Sequence, residues 1–387
     1  MSDHTVTSIT LAPGLRQGQV EVPLSKSHLH RLLIAGFLAG SCDHYAGLSV
    51  SDDVQATRRC VQALQGNSAV PELPCGESGS TLRFLLPVVL ALKEQAVFTA
   101  QGRLPQRPLK PFLDLLRQHG LQETNGDFPL SLRGSLQPGL YSLPGNISSQ
   151  IVSGLLFALP LLDGDSTIQL TTPLESRGYV DMTLAVLRNF GLDIRERNDG
   201  FLIPGHQQYR HRDGIAPERD WSAAAFWLAM NSLGSQIAVP GLDDNSCQPD
   251  KAVMRLLCQL GGAIDVSQCP DIFPVLAVAA GATEVVTVFR GTRRLRFKES
   301  DRLAATADIL QRYGVRVEIA DDNFTVHGLG PHFRGNIDID PFGDHRIAMA
   351  AAVGATVADG PVTIIHPACV SKSYPGFFRQ FLALDSN

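Results

Sequence analysis

One short pattern recurs along the chain: a helix-like segment closes on a glycine, and a β-rich segment follows. It appears as RRCVQALQ before Gly66, PFLDLLRQH before Gly120 and TLAVLRNF before Gly191. It returns as AVMRLLCQL before Gly261 and ADILQRY before Gly314. Glycine suits the left-handed conformation that ends a helix. The steps between these glycines are 54, 71, 70 and 53 residues, too unequal for a tandem solenoid. They fit about six related α/β modules carrying insertions, and such modules must stack to bury their apolar faces. FLIPG and FTVHGLG read as hairpin strands flanked by turn residues. No low-complexity linker or charge run separates the modules, so any crossover between domains is short. The cluster RHRDGIAPERD, residues 210–220, is the best candidate.

A chain of 387 residues exceeds one ordinary core, so two domains are expected. Hydrophobic content of 44% and charged content of 18% are those of a soluble globular protein. The net charge of −5 opposes bulk attraction to nucleic acid or to an anionic membrane. A local basic site for a small anion is still compatible with it. Seven cysteines without a CxxC pair read as reduced thiols, and the expected location is cytoplasmic. The first residues lack a basic region followed by an apolar run, and IVSGLLFALPLL is too short to span a bilayer.

Polar and basic residues repeatedly stand where apolar helices begin. VPLSKSHLHR places Lys26, Ser27 and Arg31 ahead of LLIAGFLAG. GESGSTLR, with Gly79, precedes FLLPVVLALK, and GNISSQ, with Ser148, Ser149 and Gln150, precedes IVSGLLFALPLL. Ser176 and Tyr179 open another helix in ESRGYVDMTLAVL. Asp271 sits between two prolines at the mouth of an apolar run, where desolvation should make a carboxylate more basic. FKESDR supplies Lys298, Glu299 and Arg302, GDHR supplies Arg346, and VSKSYPGFF supplies Lys372. Each of these alone is accounted for as a helix cap, with Ser300 an acceptable one in FKESDR. His28 and His30 have no third ligand nearby, so no metal is expected. Converging helix starts would instead gather Lys26, Arg31, Arg107, Arg302, Arg346 and Lys372 about a small polyanion, with the helix dipoles adding to the field. Glu299 would then be the acid/base group of that site.

In this order, SKS…R, SGSTLR, RP, SSQ, PD, KESDR, DHR and the lysine before SYPGFF resemble the EPSP synthase family over residues 22–378. The resemblance implies an inside-out α/β barrel of two domains, each of three βαβαββ units, with helix N-termini facing a cleft between them. Residues 1–23 with 219–387 would form a discontinuous domain carrying the acid/base residues and part of the phosphoenolpyruvate site. Residues 24–218 would carry most of the shikimate 3-phosphate site. The implied phosphoenolpyruvate residues are Lys26, Gly79, Arg107, Gln150, Arg302, Arg346 and Lys372. The implied shikimate 3-phosphate residues are Lys26, Ser27, Arg31, Ser148, Ser149, Gln150, Ser176, Tyr179, Asp271 and Lys298. Asp271 matches the family's proton acceptor and Glu299 its proton donor, with Lys26 as a further catalytic group.

The implied activity transfers the enolpyruvyl group of phosphoenolpyruvate to the 5-hydroxyl of shikimate 3-phosphate, in the route to chorismate and the aromatic amino acids. It calls for no cofactor and no metal. Expected partners are the two small substrates, with no nucleic acid or membrane, and the chain is expected to be a monomer. Two departures stand out: Arg294 where the family often has Asn, and Phe84 where Pro commonly follows the Arg of the Gly-rich loop. The competing readings are a UDP-N-acetylglucosamine enolpyruvyl transferase and a non-catalytic binder of small phosphorylated ligands. The first usually carries a reactive Cys five residues before the Arg-Pro, where this chain has Gly102. The second would be signalled by loss of Asp271 or Glu299.

Overall fold

The recurring unit is visible as sheet topology. In the computed structural model, which describes residues 7–92 and 95–386, three four-stranded sheets share one strand order. In the first, Glu72–Pro74 pairs in parallel with Gln95–Thr99, and Leu130–Gly134 then joins antiparallel, followed by Leu121–Thr124. The second repeats this with Leu140–Leu143, Ser166–Leu170, Gly200–Ile203 and Arg195–Arg197. The third does so with Ala263–Asp265, Val286–Arg290, Asn323–His327 and Arg316–Ala320. Each parallel pair needs a helical crossover, and each closing antiparallel pair is a hairpin, which makes the unit βαβαββ. Two further sheets are three-stranded: Ser8–Leu11 with Val362–Ile365 and Ile337–Ile339, and Gln236–Ala238 with Arg16–Gln19 and Asp385–Ser386.

The chain divides into a discontinuous unit, Met1–Pro23 with Arg219–Asn387, and a continuous unit, Leu24–Glu218. Each has its own core. In both, the helices are the inner layer. Every residue of the helices Phe273–Gly281 and His345–Ala355 is buried, and eleven of the fourteen in Gly79–Leu92 are. The strands alternate instead, as in the buried-exposed pattern of Leu130–Gly134, so one sheet face meets the helices and the other meets solvent. Fully burying each Leu, Val or Phe of such a layer contributes about 1.5–3 kcal/mol. No helix among the described residues is long and apolar enough to cross a membrane.

Four of the five closing glycines take positive φ: Gly120, Gly191, Gly261 and Gly314 lie between 83° and 106°. Gly66 departs from the expectation, with φ −68° and ψ 169°. Its N–H donates to the Ala63 carbonyl, and no strand begins until Glu72, so the chain has room to leave the helix in an extended conformation.

Small residues decide which helix starts become neighbours. The helix Ser149–Ala158 packs on Gly79–Leu92, with Gly154 lying directly against the Arg83 backbone. The Ala-rich helix His345–Ala355 packs on Phe273–Gly281 in the same manner. Short side chains allow close approach, and the polar residues at those helix starts are brought within bonding distance.

Candidate active site

FKESDR turns inward. Asp301, not Ser300, caps the helix Arg302–Arg312: its Oδ1 accepts from the Ala304 N–H at 3.1 Å. The Ser300 hydroxyl is buried and donates to Asp344 Oδ2 at 3.0 Å. Asp301 has the extended backbone that a cap requires, which leaves Ser300 to face the core. Arg302, with a side chain only 1% exposed, then distributes its guanidinium among three carboxylates. Nε donates to Asp344 Oδ2 at 2.9 Å, Nη1 to Asp271 Oδ1 at 2.8 Å and Nη2 to Glu299 Oε2 at 2.6 Å.

Asp271 is the meeting point of the cations. Besides Arg302, it accepts from Arg346 Nη2 at 2.8 Å and from Lys298 Nζ at 3.3 Å, while Arg346 Nη1 donates to its carbonyl at 3.2 Å. The sequence expectation of a carboxylate desolvated at an apolar mouth holds for its burial, with the side chain 18% exposed, but omits its partners. The floor is apolar, as Phe273–Gly281 shows, but the carboxylate itself is ion-paired to residues 27, 31 and 75 positions away. Asp344 organises the cluster from behind. It is fully buried, and its Oδ1 accepts from the Arg346 N–H at 2.9 Å, capping the helix His345–Ala355. Burial is the largest single influence and opposes its charge, yet the charge and hydrogen bond of Arg302 together with His345 bring its proton affinity below the ordinary value. Burial likewise opposes the charge of Arg302, and Asp344, Glu299 and Asp271 together keep it well above its ordinary value. Burial dominates at Lys298 and lowers it despite Asp271. Lys372 Nζ donates to the Gly343 carbonyl at 2.7 Å, beside the start of the Asp344-capped helix.

The continuous unit carries the other candidate residues. Ser25 caps the helix Lys26–Leu38, and Lys26 Nζ meets Asp53 Oδ2 at 2.8 Å, both side chains largely buried. Arg31 points inward. It donates to the Ser27 carbonyl at 2.6 Å, the Tyr179 carbonyl at 2.7 Å and Thr183 Oγ1 at 2.8 Å, and its guanidinium lies over the Phe84 ring. Phe84 thus has a physical role at the position where the resemblance leads one to expect Pro. Ser148 is itself a helix cap, its Oγ accepting from the Gln150 N–H at 3.2 Å. Ser149 is buried beside it. Gln150 joins two helix starts: Nε2 donates to Ser80 Oγ at 3.0 Å, and Oε1 accepts from Arg83 at 3.3 Å. Ser176 is buried with φ 54°, a left-handed conformation that is strained for a non-glycine residue. Arg107 lies over Gly79, where an added Cβ would meet its Nη1 at 2.6 Å and Arg83 Nη1 at 2.8 Å. Arg294 donates to the Ser267 carbonyl at 3.1 Å in the discontinuous unit. His30 is buried and bonds Thr57 at 2.6 Å; burial drives its proton affinity well below the ordinary value.

Three residues of these networks are not singled out by the sequence: Asp53, Ser80 and Arg83. Ser80 and Arg83 stand inside the GESGSTLR motif, and SDDV at the start of the helix Asp52–Gln65 is the available signal for Asp53.

Three comparisons bear on the arrangement. The family model for EPSP synthase (3-phosphoshikimate 1-carboxyvinyltransferase) matches residues 12–266 and 259–381. A 3-phosphoshikimate 1-carboxyvinyltransferase of Clostridium kluyveri is 38% identical over 419 aligned positions, covering 97% of each chain. One of Clostridioides difficile is 34% identical, again over 97% of each. Among solved structures, an EPSP synthase from Acinetobacter baumannii superposes with a TM-score of 0.79 at 25% identity, covering 98% of both chains.

Proposed function

The chain belongs to the EPSP synthase family and transfers the enolpyruvyl group of phosphoenolpyruvate to shikimate 3-phosphate, and on that premise we propose how its own residues divide the work. Glu299 protonates the methylene carbon of phosphoenolpyruvate, which makes the adjacent enol carbon electrophilic. Asp271 accepts the proton of the 5-hydroxyl as its oxygen attacks that carbon. The tetrahedral adduct then loses phosphate, and a proton leaves the former methylene carbon to restore the double bond; the same carboxylates act here in reversed roles. Lys26 assists as a third catalytic group. Arg107, Arg302, Arg346, Lys372, Lys26 and Gln150, with Gly79 leaving them room, hold phosphoenolpyruvate. Lys26, Ser27, Arg31, Ser148, Ser149, Gln150, Ser176, Tyr179, Asp271 and Lys298 hold shikimate 3-phosphate. Both substrates carry phosphate and carboxylate, so charge-assisted donors in a fixed array orient as well as bind them.

The observation that carries this reading is the placement of Asp271 and Glu299 on one buried guanidinium, Arg302. It puts an acid and a base beside cations suited to a substrate carboxylate. Gly102 speaks against the competing sugar-nucleotide substrate. Its φ is 56°, and an added side chain would collide with Glu77, so a cysteine is not accommodated there without rearrangement. Purified protein is expected to release phosphate from phosphoenolpyruvate with shikimate 3-phosphate and not with UDP-N-acetylglucosamine. Release with the latter alone would reverse the assignment.

A second expectation concerns Gly79. The atoms that an alanine would meet are the ends of flexible arginines, so Gly79→Ala should fold normally. Displacing Arg107 removes a charge-assisted bond, and KM for phosphoenolpyruvate should rise roughly 10- to 100-fold. An unchanged KM would take Arg107 out of that site.

A further inference from the structure

The ion pairs around Arg302 form one connected cluster. Among the described residues, Asp271, Glu299 and Asp344 face Lys298, Arg302 and Arg346, three carboxylates ion-paired with three Lys and Arg cations, while Arg294 stands near Lys298 and the His345 ring beside Asp344. Each nitrogen of Arg302 already donates to a different carboxylate, and Arg346 donates to Asp271. A substrate carboxylate that engages Arg302 and Arg346 adds a fourth negative charge to these six side chains. Like charges crowded in a partly desolvated site favour protonation of one of them.

The surroundings identify which one. Asp344 is fully buried, holds Arg302 Nε and Ser300 Oγ, and caps a helix, so it is tied in place. Asp271 is faced by Lys298, Arg302 and Arg346, with the Cys269 thiol close by, and it keeps Lys298 when the arginines turn to a ligand. Glu299 is faced by Arg302 and Lys298 but also by the like charge of Asp344, with which it shares the guanidinium. Its side chain is 16% exposed and that of Asp271 18%, so a proton from solvent can reach either, and the difference between them lies in their charged neighbours. We propose that binding of a substrate carboxylate to Arg302 and Arg346 is coupled to uptake of a proton by Glu299, so that the substrate loads the acid that later protonates it. The inference rests on the proposed binding of phosphoenolpyruvate by Arg302 and Arg346, with its carboxylate taken as the group that this clamp receives. It resolves a conflict in that reading, because a carboxylate paired to a guanidinium at 2.6 Å is a poor proton donor until the guanidinium is drawn elsewhere.

Calorimetry tests the coupling. Phosphoenolpyruvate alone is titrated into the full-length protein at about pH 8, where its phosphate is already fully ionised, in two buffers of different ionisation enthalpy. The expected result is uptake of about one proton per ligand bound, with affinity weakening by up to roughly tenfold per pH unit above that. Glu299→Gln should still bind while the buffer dependence disappears. Binding with buffer-independent heat and pH-independent affinity in the unaltered protein overturns the coupling and leaves the clamp standing. Uptake that persists in Glu299→Gln overturns the assignment to Glu299. Absence of any phosphoenolpyruvate binding overturns the clamp, and the coupling with it. The measurements on the unaltered protein decide the matter even if the variant does not fold.

Discussion

Asp271→Ala should lower turnover by roughly 10²- to 10⁴-fold, the scale of a lost general base. Phosphoenolpyruvate affinity should hold or increase. The carboxylate now engages Arg302 Nη1, Arg346 Nη2 and Lys298, the groups that an incoming anion must recruit. Removing it frees those donors from an internal competitor. Some affinity for shikimate 3-phosphate should be lost, because Asp271 is also among the residues proposed to hold that substrate. The change should fold, since Arg302 retains Asp344 and Glu299. Steady-state kinetics and calorimetry on one preparation separate the two effects. Near-normal turnover would remove Asp271 as the base and make Lys26 the next group to test.

Asp344 should matter most for stability. Its carboxylate accepts from Arg302 Nε, Ser300 Oγ and the Arg346 N–H with no exposure to solvent. Replacement by Ala breaks a buried ion pair, which typically costs about 3–5 kcal/mol, and it also removes a helix cap. The denaturation midpoint of the discontinuous unit should fall accordingly. Asp344→Asn keeps an acceptor for the cap and isolates the charge. Its pH dependence has a definite sign. The folded-state proton affinity is depressed below the ordinary 3.8, so the stabilisation is complete above that value and is lost as pH falls through the lower folded value. The stability gap between the original protein and Asp344→Asn should be constant near neutrality and shrink in acid below about pH 4. Equal stability of the two at neutral pH would show that Arg302 does not depend on Asp344.

The sequence by itself determined the repeating module and, through its family resemblance, the fold and the overall reaction. Glycine-closed helices followed by strands are local features, set by backbone freedom and hydrophobic period, so a repeating α/β module was legible, while its βαβαββ order came from the family resemblance. The residue types at the helix starts were legible for the same reason. Lys26, Gln150, Asp271, Glu299, Arg302 and Arg346 each stand within a few residues of an apolar run whose helix they open. The tertiary structure decided their partners. Asp271 meets Arg346 from 75 positions away, and Arg31 meets Thr183 from 152. No local pattern encodes such pairs, because they exist only once small residues such as Gly154 and the alanines of His345–Ala355 let inner helices approach. Tertiary packing therefore made Ser300 a ligand of Asp344 and not a cap, and drew Arg31 inward under Tyr179. It also turned Asp271 from a carboxylate at an apolar mouth into the centre of an ion cluster. Capping and periodicity act over one or two turns of chain, whereas burial and charge pairing depend on which helices the fold places side by side.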